Sequence, residues 1–308
     1  DVASEYVALR TAQERVRVAR RNIAIQRQSL QLTTIRFENG ASPQLDVAQA
    51  ETNLANTEAE LPLLIADERD AALRLAVLLG ENPTNLLDEL RVAATIPLPP
   101  ERISVGIPAD TLRRRPDVRS AERTLAAEVA RIGVELGDLY PVFTLGGSLE
   151  FGSTNFGSLF DADSIGFGVG PGFSWNLFDG GRERGEVRAQ EAIADIALLN
   201  YRSTVLEALE EVEGSLFRHA RQTEQAEAFA RASIAAGQSA ELSRQLYLEG
   251  RSDFQNVLDS ERELFIAEDN LILSRSDVAL TYITLQRSLG GGWSPSSNEA
   301  EPSDDAND

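Results

Sequence analysis

Chemistry-bearing side chains are few in this chain, and most familiar reactions are excluded by what it lacks. There is no Cys, which removes disulfides, Fe–S clusters and thiolate zinc sites. All 29 basic residues are Arg; without Lys there is no Schiff base and no Walker-type phosphate loop. The single histidine, His219, lies on a long helical stretch without a partner pattern and reads as a surface residue. The glycine run "LGGGW" (289–293) is not a phosphate loop, because no helix follows it. No acid–base pair, metal cluster or nucleophile motif stands out, so the chain reads as a non-enzyme needing no cofactor. A formal charge of −20 argues against a nucleic-acid partner. The polar chemistry that remains is concentrated in two passages, "FENGASPQLDVAQAE" (37–51) and "YLEGRSDFQNVLDSE" (247–261). Both place an aromatic three residues before a glycine, then a short polar stretch, then an apolar-periodic run ending in Glu.

The two passages belong to a longer repeat. Residues 1–80 slide onto 211–290 at a constant offset of 210 without a gap. Gly40 meets Gly250, Ser42 meets Ser252, Val47 meets Val257, Glu51 meets Glu261 and Leu54 meets Leu264. Leu79-Gly80 meets Leu289-Gly290. In the second copy Val257, Leu264, Leu271, Val278 and Leu285 recur every seven residues, the signature of helices that supercoil against neighbours. Small residues (Ser260, Ala267, Ser274 and Thr281) follow the first four at three residues' distance and permit close approach. The first copy keeps Val47, Leu54, Leu61 and Leu75, is interrupted by Glu68, and carries Pro62 in mid-helix, where a kink is expected. Each copy therefore predicts a helix, a tight turn at Gly40 or Gly250 in the left-handed conformation, and an antiparallel return helix closing at the Leu-Gly pair.

Between the copies, residues 80–116 hold six of the twelve prolines and read as an irregular connection. "LRRRPDVRSAE" (112–122) then starts a helix, with Asp117 at its head and Val118, Ala121, Leu125, Val129, Ile132 and Leu136 on one face. In "VFTLGGSLEFGS" (142–153) and "IGFGVGPGFSWNLF" (165–178) the period changes to two. Phe143, Leu145, Leu149 and Phe151 share one face; so do Ile165, Phe167, Val169, Phe173, Trp175 and Leu177. The opposite faces carry Gly, Ser, Thr, Asn and Glu. About ten residues is the length of a tilted strand crossing a bilayer. No run of 18 apolar residues suggests a membrane helix, and no signal peptide opens the chain; lacking Met, it reads as a fragment or a processed product. From Gly181 to Tyr247 nothing breaks a helix, a span of roughly 100 Å, and the return helix covers about 55 Å.

With "LRRRPDVRSAE", "LYPVFTLGG", "SWNLFDGGRERGEV", "YLEGRSDFQNVLDSER" and "SLGGGW" in hand, the chain resembles a TolC-type outer-membrane factor over residues 1–293, specifically the outer-membrane lipoprotein branch serving drug efflux pumps. The resemblance implies a mainly α fold with membrane β: long antiparallel helical hairpins forming an α-barrel in the periplasm, plus strands of a 12-stranded barrel in the bacterial outer membrane. It implies a homotrimer that contacts outer-membrane lipid and works with a periplasmic adaptor protein and an inner-membrane RND-type pump. Such a factor is a passive exit duct for drugs or other small molecules. A duct for type I protein secretion shares the fold, and a non-transporting coiled-coil scaffold is the reading from another class.

The expected organisation is a first hairpin (1–80), an equatorial linker (81–116), a helix leading to the barrel (117–140), and two membrane strands (141–180) with an external loop at 154–164. A second hairpin (181–290) and a disordered acidic tail (291–308) follow. About 95 residues, holding a second strand pair, are expected upstream. By resemblance, Asp46 and Tyr247 are a gate pair; Ser252 stands where the family often has a gate arginine, with Arg251 adjacent as its substitute; Asn256 and Asp259 match positions of an acidic constriction, of which only Asp259 keeps the charge that would attract cations. Gly40, Ala41, Ser42, Gly250, Arg251 and Ser252 match the tips that dock the adaptor. Trp175 and Phe178 suit an aromatic belt or simple strand packing.

Overall fold

A computed structural model describes residues 1–82, 90, 94–100, 115–152 and 165–291. Most of the proline-rich connection, the expected external loop 154–164 and the acidic tail lie outside the described residues. Among the described residues, seven elements follow in chain order: helices α1 (Val2–Glu38), α2 (Gln44–Leu79) and α3 (Pro116–Asp138), strands β1 (Val142–Phe151) and β2 (Ile165–Ser174), and helices α4 (Arg182–Leu248) and α5 (Phe254–Ser288). They divide into two compact units, residues 1–107 with 210–308, and residues 108–209.

The first unit contains the repeat. All four equivalent helix ends stop in the same way. Gly40, Gly80, Gly250 and Gly290 have φ of 70°, 69°, 72° and 71°, a left-handed conformation that costs glycine little and other residues more. At each end the next amide reaches back five residues, as in Ala41 N to Arg36 O (2.8 Å) and Arg251 N to Leu246 O (2.8 Å). This Schellman pattern satisfies carbonyls that have no partner within the helix. The offset of 210 thus holds in the backbone conformation as well as in the letters.

Packing follows the seven-residue period. In α5, Val257, Val278 and Leu285 are buried, as are the small Ala267 and Ser274. α1 is the shared wall. On one side Leu9 packs with Ala71, Ala72 and Leu75 of α2. On the other, Val7 and Val18 pack with Ile272 and Ala279 of α5. The break in the first copy's period at Glu68 is accommodated by Gln13 of α1, whose amide donates to the Glu68 carboxylate at 3.4 Å. α2 runs through Pro62.

α1 also sets polar groups against the second hairpin, and several of them are paired. Ser29 donates to Glu261 (2.6 Å), which also receives Arg244 of α4 (3.1 Å). Arg15 forms a two-point bond with Asp269 (2.7 and 3.2 Å). Glu268 takes Asn22 (3.4 Å) and Arg21.

In the second unit, β1 and β2 pair antiparallel with Phe143 opposite Phe173, Leu145 opposite Pro171 and Leu149 opposite Phe167. Directly opposed residues share a face, so the apolar side chains of both strands form a single surface. Phe143, Leu145, Val169 and Phe167 on it are all highly exposed. The other face is kept thin. A Cβ at Gly172 would lie 2.5 Å from Thr144 Oγ1, and one at Gly168 would lie 3.3 Å from Ser148 Oγ. α3 begins one residue earlier than expected. Pro116 takes the first helical position and Asp117 the second, which suits a ring with φ preset and no amide hydrogen. Arg115 grips the Asp117 carboxylate at 2.7 Å and holds its pKa below the ordinary value. α4 is started by Asp179, whose carboxylate accepts the amides of Gly181 (2.9 Å) and Glu183 (2.7 Å).

One expectation is corrected. His219 is not a surface residue: it is 8% exposed, because α5 covers it. Its Nδ1 lies 3.1 Å from Thr281 Oγ1, and its ring tilts against Tyr282 at 5.9 Å. Since Thr281 gives its own proton to the Asp277 and Val278 carbonyls, Nδ1 is the donor to Thr281. Burial lowers the His219 pKa from its ordinary 6.5. Below pH about 6.5 the unfolded chain binds a proton that the folded chain refuses, so this contribution is complete above 6.5 and is lost as pH falls towards the lower folded pKa. His219→Gln is therefore expected to flatten the loss of stability between pH 7.5 and 5 relative to the unsubstituted protein, measured by denaturant unfolding at each pH.

Candidate functional site

The two glycine turns come together at one end of the first unit. α1 and α4 both end there, and α2 and α5 both begin there. The apolar floor is Ala50, Tyr247, Phe254, Val257 and Leu258, with Leu30 and Leu32 packed against it. Tyr247 is only 3% exposed. Its ring tilts against Phe254 at 5.2 Å.

Above this floor lies the polar part. Tyr247 donates its hydroxyl to Asp46 Oδ2 at 3.3 Å, joining the last turn of α4 to the first turn of α2 and so one repeat to the other. The Ser42 hydroxyl also reaches the phenol. Burial, more than the neighbouring Asp46 charge, pushes the Tyr247 pKa above its ordinary 10.0. The phenol therefore keeps its proton at neutral pH and acts as donor. At the helix start the Asp46 carboxylate also meets the positive end of the α2 dipole.

The other site candidates spread around this pair. Arg251 is exposed and pairs with Glu249 at 3.0 Å. Ser252 is half-buried and accepts from Asn256 Nδ2 at 3.0 Å. Asp259, exposed, accepts from Gln255 at 3.0 Å. Ala41 is exposed, and Ser42 bonds back to Thr33 O at 3.5 Å. Sequence reasoning missed Arg36. Its guanidinium lies 4.6 Å from the centre of the Tyr247 ring and donates to the carbonyls of Tyr247 (3.0 Å) and Leu248 (3.3 Å). A signal was available: at the offset of 210 Arg36 faces Leu246, so only the first copy carries a cation there. The same comparison pairs Phe37 with Tyr247 and Asp46 with Asn256. The repeat supplies two like turns, but the phenol is in one and the carboxylate in the other.

Trp175 and Phe178 lie just past the end of β2. Trp175 Nε1 donates to Leu139 O at 3.2 Å, while Phe178 is 99% exposed.

Duplicated helical hairpins with matched turns, together with a strand pair apolar along one exposed face, define a subunit of a TolC-like outer-membrane channel. The chain belongs to the outer membrane efflux protein family, which it matches over residues 1–81 and 107–291. It is 33% identical over 296 residues to nodulation protein T of Rhizobium leguminosarum bv. trifolii, covering 96% of this chain and 63% of that protein. It is 31% identical over 294 residues to the toluene efflux pump outer membrane protein TtgF of Pseudomonas putida, covering 95% and 60%. The solved structure of the outer-membrane channel OprN superposes with a TM-score of 0.85 at 37% identity, over 95% of this chain and 65% of that one. The chain thus spans under two thirds of the length of these relatives. The family is one of export channels rather than enzymes. Its location is the outer membrane, with the helical part in the periplasm.

The turn itself generates a prediction. A Cβ at Gly250 would meet nothing within 4 Å, so Gly250→Ala adds only the strain of a left-handed residue, about 1–2 kcal/mol. Thermal unfolding should show a loss of that order, with Gly250→Asn losing less because Asn tolerates this conformation.

Proposed function

We propose that the whole protein is the exit duct of a tripartite efflux system, a homotrimer that passively passes drugs or other small molecules from periplasm to exterior. The observation that carries this reading is the strand pair, whose exposed apolar face backs onto a face of Gly, Thr and Ser. Such two-sidedness suits a barrel wall between lipid and an aqueous lumen, and has no use in a coiled-coil scaffold. Two strands leave edges unpaired, and a membrane wall must close, so strands from other segments and other copies complete the barrel. Relatives named for toluene efflux and for pyoverdine export favour small organic cargo over protein secretion. The partners in this reading are a periplasmic adaptor and an inner-membrane RND-type pump.

Within it, the proline-rich stretch 81–116 is the equatorial linker, residues 141–180 are the wall strands, and the glycine turns are the periplasmic mouth. Asp46 and Tyr247 hold that mouth shut. A hydrogen bond to a charged group contributes about 1.5–3 kcal/mol, and at 3.3 Å this one lies at the low end; threefold symmetry repeats it three times. Arg251, Ser252, Asn256 and Asp259 line the same rim. Gly40, Ala41, Ser42, Gly250, Arg251 and Ser252 form the docking tips.

Two experiments follow. Asp46→Ala combined with Tyr247→Phe should raise single-channel conductance of the trimer in planar bilayers, whereas unchanged conductance in a folded trimer would remove the pair from the gate. Ala41, exposed at the tip, is the cleaner docking probe, since Ser252 is half-buried and bonded to Asn256. Ala41→Trp should shift trimer stability by under about 0.5 kcal/mol while abolishing drug efflux and cross-linking to the adaptor. Full efflux with Trp at this position would place the adaptor elsewhere on the helices.

A further inference from the structure

Arg36 stands at the junction of the two repeats, and its bonds are unusual for a last-turn arginine. It leaves α1, crosses to α4, and holds one residue there in two ways. Its Nη1 donates to the carbonyls of Tyr247 and Leu248 at 3.0 and 3.3 Å. Those carbonyls belong to the last turn of a helix, where acceptors lack partners within the helix and the dipole is negative. Its carbon Cζ lies 4.6 Å from the Tyr247 ring centre, within the range where a cation is attracted by a ring face. Its Nε is buried with no acceptor, so the two carbonyls and the ring are its hydrogen-bonding and stacking partners at this end. One guanidinium thus fixes both the backbone and the ring of the residue whose hydroxyl reaches Asp46.

We propose that Arg36 is a positioning residue of the gate: it holds Tyr247 so that the phenol meets Asp46, and it ties the first hairpin to the end of the second. This rests on the reading of Asp46 and Tyr247 as the gate pair. The tie runs one way only. The offset of 210 places Leu246 at the equivalent position of the second copy, and Leu cannot grip a carbonyl or a ring in this manner. Opening the mouth by sliding one hairpin past the other would break the carbonyl bonds, the ring contact and the Tyr247–Asp46 bond together. Lys could keep the charge but not the flat, multi-donor shape that meets carbonyl and ring at once.

The test uses the whole protein as a trimer in planar bilayers and compares Arg36→Gln, Asp46→Asn and the double variant. Arg36→Gln is expected to raise conductance by the same factor as Asp46→Asn, the double variant to rise no further than either, and Arg36→Lys to fall between wild type and Arg36→Gln. An arginine that merely stabilised the fold would lower unfolding temperature without giving this shared, non-additive rise. Wild-type conductance in Arg36→Gln beside a raised value in Asp46→Asn overturns the inference and leaves the gate pair standing. Rises that multiply independently in the double variant also overturn it. No rise in either single variant removes the gate pair and this inference together. If Arg36→Gln yields no trimer, Arg36→Lys carries the test: an intermediate rise that vanishes in the Asp46→Asn background supports the role, and an absent or additive rise refutes it.

Discussion

The side-by-side packing of the two hairpins through α1 and α5 is the constraint on which the rest of the first unit depends. That seam is not purely apolar. Glu261 is 2% exposed and carries a charge that Ser29 and Arg244 must satisfy. Removing one member of a buried pair leaves an uncompensated charge, which costs about 3–5 kcal/mol. Apolar heptads alone tolerate slippage by one rung, because one large residue resembles the next. The bonds of Arg15 to Asp269, of Asn22 to Glu268 and of Ser29 to Glu261 are specific to their rungs. They set the axial register, and the register decides whether Tyr247 arrives beside Asp46.

The repeat shows how duplication and divergence divide the work. Glu51 and Glu261 are equivalent by sequence, yet Glu51 is exposed and Glu261 buried. One copy thus turns this position outward and the other turns it into the seam. At the glycine turns the same offset separates Arg36 from Leu246, Phe37 from Tyr247 and Asp46 from Asn256. What both copies keep is the backbone device, a left-handed glycine after a helix. What they do not share is the bond from Tyr247 to Asp46, whose donor and acceptor come from different copies. A bond split in this way depends on the relative placement of the hairpins, which neither hairpin alone could set.

The strand pair obeys a different rule. Its apolar face lies exposed because none of the described residues of the second unit covers it; Phe167 is 84% exposed. Its thin face needs glycine opposite Thr144 and Ser148, where any larger side chain would crowd the neighbouring strand. These are the demands of a wall with lipid on one side.

Local rules made much of this legible in advance. The seven-residue period, the change to period two at residue 142, and glycine after each helix depend only on near neighbours in the chain. They predict the uninterrupted helix from 181 to 247, found as Arg182–Leu248, and both strands from their first residues. They predict both turns, and the family resemblance singled out Asp46 and Tyr247, which the structure brings within a hydrogen bond. The placement of His219 was decided by tertiary structure, because its burial depends on which face of α4 meets α5, and a long helix carries several faces that look alike in sequence. The same is true of Arg36: a last-turn arginine reads as a dipole partner of its own helix until the end of a neighbouring helix, 211 residues away in sequence, is set against it.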